Sequence, residues 1–385
     1  MTITTDTATR ALGLRITRLE AIPLHLKLKR PLRISVGASR EILEVLVVQI
    51  HTDQGIVGIG ETQAWRRQGG GEILSNLVRT ITDNFQPLIV GRSPFDIGGI
   101  LSTLDTAFSN SLYAQAAVSD ALQDIVGKAS GLPIHRLFGG ESREKARLGV
   151  TLTLMPTTEE LIDYAEAFYE QGYRYFGLKI GVDPSQDVAR VGALRERFGD
   201  AVTIRVDANG ALTTGEALAL LKKLEQFDID AAEQPVPSWD IRGLSALSRS
   251  TSIPIMVDES LSTDHSLLEI IRRDAATAIH TKLAKNGGMY RTWRLWGIAE
   301  AAGMRICPGN HPCTGVATAA AAQLCAAWPG PLIDGAFAVG LSGLLETDII
   351  TKPLVLENGE IRIPTGPGLG VELDLDAVNH FRIDT

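Results

Sequence analysis

The sequence predicts an α/β protein: a TIM barrel with an α+β capping domain formed by the N-terminal region and the C-terminal tail. Three observations point there. From about residue 148 a strand-then-helix unit recurs roughly every 25 residues, the repeat of a βα unit. Asp207, Glu233 and Asp258 each close an apolar, strand-like run, 26 and 25 residues apart, so one unit separates each from the next. Ahead of residue 146 the pattern is different, with long alternating runs joined by short turns.

Taken in order, residues 1–13 are polar and threonine-rich with no apolar core, and read as a loose tail rather than a signal peptide. Residues 14–146 form the cap. Within it Glu44–Ile50 and Gly55–Gly60 flank Thr52-Asp53-Gln54, a hairpin turn. Helices follow at about Glu72–Phe85 and Tyr113–Ser130, the second closed by Gly131 and Pro133. Residues 147–350 form the barrel. Its eight candidate strands are Leu148–Leu154, Tyr175–Ile180, Thr203–Asp207, Asp230–Glu233, Ile253–Asp258, Ala278–Leu283, Arg305–Pro308 and Pro331–Asp334. Intervening stretches such as Thr214–Phe227 and Met289–Ala302 carry apolar residues at helical spacing. No glycine-rich phosphate fingerprint follows the first strand, which favours a barrel over an open doubly wound sheet. Residues 351–385 return to extended structure, with Asn358-Gly359 as a hairpin turn, and are expected to pack on the cap over the barrel mouth.

Composition narrows the function. Of 385 residues, 44% are hydrophobic and 21% charged, a soluble globular balance. The net charge of −8 and the absence of a Lys/Arg run argue against nucleic acid or an anionic membrane as partner. No apolar run has the length of a membrane span. Cys307, Cys313 and Cys325 are odd in number and lack CxxC spacing, so neither a disulfide framework nor a zinc site is expected, and a cytoplasmic location is.

Three carboxylates converging at one barrel mouth repel one another unless a cation lies between them. Oxygen ligands without His or Cys suit Mg²⁺, or Mn²⁺ in its place, so Asp207, Glu233 and Asp258 are the candidate metal ligands. Each singly could instead pair with an arginine or cap a helix; the matched spacing of all three favours the metal. Asn209, Gln234 and Glu259 adjoin these acids and are expected to support them. Lys179 and Lys282 close the second and sixth strands, on opposite sides of the metal strands. An ammonium in an apolar strand end needs a reason. Beside a divalent cation it becomes a base of useful strength, and snorkelling or a plain ion pair is the alternative for either one. Lys285 lies past the strand end and reads as a surface or supporting group.

The ordered set Lys179, Asp207, Glu233, Asp258 and Lys282, within Val206-Asp207-Ala208-Asn209, Glu233-Gln234-Pro235, Asp258-Glu259-Ser260 and Lys285-Asn286-Gly287-Gly288, resembles the enolase superfamily. Within it the chain resembles the muconate-lactonizing subgroup of the mandelate racemase/muconate lactonizing enzyme family. The match runs from Gly58-Ile59-Gly60-Glu61 to Gly366-Pro367-Gly368-Leu369-Gly370. The resemblance implies a (β/α)7β barrel under a cap and Mg²⁺ on Asp207, Glu233 and Asp258. It also implies a small-molecule carboxylate substrate, α-proton exchange by Lys179 and Lys282, and a homo-oligomer. A lysine base with Mg²⁺ stabilising an ene-diolate is the general solution for this superfamily.

Two positions depart from the family pattern. Gly177 stands where a first lysine of Lys-x-Lys is usual, and Cys313 stands near an expected acid. Candidate substrate contacts are His311 and Cys313 in the seventh loop, Asp334 at the eighth strand, and Arg33 in the basic cap segment. Cys313 reads as a small pocket wall, since no base is evident beside it. Lys27, Lys29, Arg30, Arg66 and Arg67 add positive charge suited to a second carboxylate, or to a solvated face, and Gln68–Gly71 suits a mobile lid. The expected activity is a Mg²⁺-dependent isomerase of muconate cycloisomerase type. The alternatives are a racemase or epimerase of N-acyl amino acids or dipeptides, and an acid dehydratase. From other classes, a Schiff-base aldolase, a metal-dependent hydrolase and a non-catalytic scaffold fit the residues less well.

Overall fold

A computed structural model describes residues 13–32, 35, 39–65, 72–335, 337 and 344–383. The cap opens with a three-stranded antiparallel meander, β1 (Ile16–Leu32), β2 (Arg40–Thr52) and β3 (Val57–Gln63). Both of its faces are covered: Val45, Leu46, Val47 and Val48, which alternate between the two sides of β2, are all buried. The helix Leu112–Ser130 lies directly on β3, because a methyl at Gly58 or Gly60 would overlap the carbonyl oxygens of Ala121 or Ala117. Backbone contact, rather than a special φ, requires these two glycines. The helix stops where expected, on Gly131 in the left-handed region at φ 68°. The expected helix at Glu72–Phe85 begins at Leu74, and its second half, Thr80–Phe85, is a π-helical turn running on into Gln86–Ile89.

A short strand, β4 (Lys145–Arg147), leads into the barrel. There β5 (Gly149–Leu152), β6 (Tyr175–Lys179), β7 (Thr203–Asp207), β8 (Ile229–Glu233), β9 (Ile255–Val257), β10 (Ala278–Lys282) and β11 (Arg305–Gly309) form one parallel seven-stranded sheet in chain order. Register places Lys179 beside Asp207 and Asp207 beside Glu233, so the predicted strand ends are level with one another. The eighth segment is a correction: residues 331–334 are not a ladder strand. They close the gap through single hydrogen bonds, Ile333 N to Ile306 O at 2.8 Å and Gly149 N to Gly335 O at 3.1 Å.

The tail packs on the cap. The helix Leu375–Phe381 lies against β1, Ile383 N donates to Pro23 O at 3.0 Å, and Leu369 N donates to Asp124 in the long cap helix at 2.8 Å. The Asn358-Gly359 turn forms, both residues at positive φ, between β12 (Leu356–Glu357) and β13 (Glu360–Arg362). Its position differs from expectation. The hairpin pairs with β4, and Leu148 N donates to Gly359 O at 2.8 Å, which places it at the amino-terminal end of the strands, away from the mouth. Among the described residues no helix is long and apolar enough to cross a membrane.

Candidate active site

Five of the predicted residues meet at the carboxyl ends of the strands. Lys179, Asp207, Glu233 and Lys282 line a cavity of about 70 Å³ together with Asn209, Arg205, His280, Asn310, His311 and Trp65. Asp258 lies just behind them, wholly buried, and ion-pairs with Lys282. Lys179 ion-pairs with Asp207 in the same manner. Each flanking lysine is thus the counterion of one carboxylate.

The surroundings act on each acid differently. Burial, then the charge of Glu233, raises the Asp207 carboxyl above its usual range, while Asn209 N donates to its Oδ1 at 2.8 Å. Burial works the same way on Glu233, but Arg205 and His280 outweigh it and hold that group at about 2. For Asp258 burial is again outweighed, by Lys282 and Lys285, and its carboxyl is held well below the usual range. Glu259 receives Asn209 Nδ2 at 3.1 Å and is pushed up to about 8 by burial and by the neighbouring charges of Asp258 and Asp207. Gln234, at φ 36°, is a brace. Its Oε1 accepts from Asp258 N at 3.1 Å and Ser260 N at 3.0 Å, tying one strand end to the next.

The donor set suits a hard divalent cation. Glu233 Oε2 and Asp258 Oδ1 are buried and accept no hydrogen bond, although cations stand close to both. Ligand atoms of Glu233, Asp258 and His280 lie within 4.8 Å of one another. Asp207 is level with Glu233, but its carboxylate is turned onto Lys179 and Asn209. Carboxylate oxygens of this kind match Mg²⁺ or Mn²⁺.

Several expectations change. Lys285 is not at the surface: it is wholly buried, donating to Asp258 O and Leu261 O, each at 2.6 Å. Cys313 is buried but faces away from the cavity, its Sγ 3.5 Å from Thr318 Oγ1 and 3.8 Å from the Phe337 carbonyl. Asp334 is at the opposite end of the barrel. The Ile333–Ile306 hydrogen bond sets that register and leaves Asp334 among Arg147, Glu360 and Asp230. Lys27 is exposed and pairs with Glu346 at 3.3 Å. Arg33, Arg66, Arg67 and Gln68–Gly71 lie outside the described residues.

His311 does line the cavity. It is buried and stacked between two cap rings, Trp65 at 4.7 Å and Tyr113 at 5.7 Å, so the cap and the seventh barrel loop share one wall. Sequence reasoning missed Arg205, His280 and Trp65. A signal existed for the first two: each stands two residues before a predicted site residue, and alternation in a strand puts i and i+2 on one face.

Two domain families match the chain: residues 18–139 match "Mandelate racemase / muconate lactonizing enzyme, N-terminal domain", and residues 160–377 match "Enolase C-terminal domain-like". The chain is 32% identical over 375 residues to muconate cycloisomerase 1 of Rhodococcus opacus, covering 95% of this chain and 98% of the relative. It is 30% identical over 371 residues to an N-succinyl-L-Arg/Lys racemase of Bacillus cereus, covering 96% and 98%. The crystal structure of muconate lactonizing enzyme from Pseudomonas fluorescens with muconolactone superimposes with a TM-score of 0.92 at 29% identity, covering 96% of this chain and all of the other.

Proposed function

Because the chain belongs to the mandelate racemase/muconate lactonizing enzyme family of the enolase superfamily, we propose that it is a Mg²⁺-dependent isomerase forming an enolate α to a substrate carboxylate, with muconate-type cycloisomerisation as its reaction. The observation that carries this reading is the placement of Lys179 and Lys282, each on a buried carboxylate of one cluster and both facing one small cavity.

Asp207, Glu233 and Asp258 would hold the cation. When bound it supplies a positive centre that stabilises charge developing on the substrate carboxylate. The chain's own residues supply the rest. Trp65 and His311, stacked on one another, form one wall of the cavity. In the lactonizing direction one substrate carboxylate oxygen bonds to the carbon β to the other carboxylate, and the electron pair of that double bond moves to the α carbon. A lysine N–H bond breaks as the α-C–H bond forms, leaving that lysine neutral until it regains a proton from solvent. The second lysine remains cationic beside the carboxylates.

Racemisation of an N-acyl amino acid is the second reading, favoured by the same pair of lysines, one to remove the α-proton and one to return it on the other face. A cytoplasmic homo-oligomer completes the proposal, and light scattering of the purified chain tests the assembly.

The deciding experiment is proton NMR in D₂O with Mg²⁺, against muconates and N-acyl amino acids. Lactone with one α-deuterium supports cycloisomerisation. Exchange of an N-acyl amino acid without new bonds supports the second reading. Turnover that persists in both Lys179→Ala and Lys282→Ala would sink the enolate mechanism.

A further inference from the structure

Glu233 is gripped from two sides by residues that the strand-end pattern does not include. His280 precedes Lys282 by two positions on β10, so both side chains enter the barrel. Its Nδ1 lies 2.7 Å from Glu233 Oε1, and Arg205 Nη1 lies 3.0 Å from Oε2. Ionised Glu233 can only accept, so Nδ1 carries the proton and donates. Nε2 is then the unprotonated nitrogen, buried and without a hydrogen-bond partner.

Both arms occupy space that two glycines leave open. A methyl at Gly177 would stand 2.6 Å from Arg205 Nη2 and 3.1 Å from its Nε. One at Gly309 would overlap His280 Nε2. Gly177 pairs with Arg205 across β6 and β7, and Gly309 pairs with Lys282 across β10 and β11. Neither glycine has a positive φ, so volume and not conformation accounts for them. The floor beneath is small and soft: Ala231, Ala278, Met256 and Cys307, with Arg205 Nη1 3.6 Å from Cys307 Sγ.

We infer that His280, together with Arg205, is a positioning residue for Glu233, fixing the rotation of its carboxylate so that an oxygen faces the cation site shared with Asp258. This rests on the metal reading given above. Gly177 then has a positive role: the place of a strand-end lysine is taken by a guanidinium reaching in from the neighbouring strand.

The test is Mn²⁺ titration of the full chain, followed by the electron-paramagnetic-resonance signal of free Mn²⁺, with melting temperature as the control for folding. Asn places its amide nitrogen where Nδ1 stands, and Leu has a similar shape with no donor. His280→Asn is expected to bind Mn²⁺ within about 3-fold of wild type and His280→Leu about 10–100-fold more weakly, at similar melting temperatures. Equal weakening by Asn and Leu, or none by Leu, would overturn the inference. Glu233→Gln separates the two readings. Wild-type binding by that variant removes the metal assignment and the inference with it. Lost binding there, with His280→Leu unaffected, removes the positioning role alone.

Discussion

Glu61 in β3 of the cap accepts two hydrogen bonds from Thr314 at the start of the seventh barrel helix, from its N–H at 3.0 Å and its hydroxyl at 2.6 Å. A third comes from Ala317 N at 2.9 Å. The carboxylate therefore caps Gly315–Ala327 from another part of the chain, and it fixes the loop that carries His311. Gln63 Nε2 donates to the same carboxylate at 3.0 Å, so Glu61→Ala leaves four donors buried and unpaired, and urea unfolding should show a loss of about 3 kcal/mol. A loss below about 1 kcal/mol would mean that water replaces the carboxylate at no cost.

Gly60 admits no side chain, because its Cβ would overlap the Ala117 carbonyl oxygen in the middle of the long cap helix. Gly60→Ala has to separate β3 from that helix and should cost about 3 kcal/mol or more, as overpacking against backbone does. Gly55, whose added Cβ meets nothing within 4 Å, stands at φ 79°. Gly55→Ala should therefore cost only about 1 kcal/mol, the strain of a left-handed residue. Equal melting temperatures for the two variants would contradict the close-approach argument.

Asp120 gives the fold a pH dependence. Burial pushes its carboxyl from 3.8 to about 7, although Met289 N donates to it at 2.7 Å, and Glu61 adds like charge. Between these values the unfolded chain has lost this proton and the native chain keeps it, so stability falls as pH rises from about 4 to about 7. The window corresponds to about 4 kcal/mol. Asp120→Asn keeps the acceptor for Met289 and removes the titration. Its advantage over wild type should be near zero at pH 4 and largest above pH 7. A difference independent of pH would refute the assignment.

Lys179→Ala and Lys282→Ala should each lower turnover by about 10²–10⁴-fold, the usual scale for a lost acid or base. Mn²⁺ binding should survive in both, since neither lysine is a ligand. Removing a counterion from Asp207 or Asp258 should leave metal affinity equal or greater. Loss of metal binding in either variant would make that lysine structural.

Asp334→Asn and Cys313→Ser should leave KM unchanged within about 2-fold, below the roughly tenfold effect of a lost polar contact. Asp334 lies at the far end of the barrel, and Cys313 faces Phe337 rather than the cavity. A tenfold rise in KM for either would restore it as a substrate contact.

Most of the barrel was legible because a strand end is a local event. The runs Thr203–Asp207 and Ala278–Lys282 each carry their apolar residues and terminal polar group within five positions; the first appears with its expected bounds, and the second ends one residue before the expected Leu283. Helix ends were legible for the same reason, as Gly131 shows. The eighth segment was not. Residues 331–334 have a strand's composition, but their register depends on Ile306 and Gly149, far away in the chain. Asp334 was misplaced as a result.

By itself the sequence determined the order and spacing of Lys179, Asp207, Glu233, Asp258 and Lys282, and a repeated βα unit brings such residues to one end of a closed sheet whatever the details of packing. Only the tertiary structure decided what surrounds them. It turned Asp207 onto Lys179, buried Lys285 beneath Asp258, and brought Arg205 and His280 to the two oxygens of Glu233. It also set Glu61 at the start of a helix more than 250 residues later. The reason is physical: periodicity along a chain fixes which face a residue occupies, whereas the partner across that face is fixed by register and by the volume that glycines such as Gly177 and Gly309 leave open.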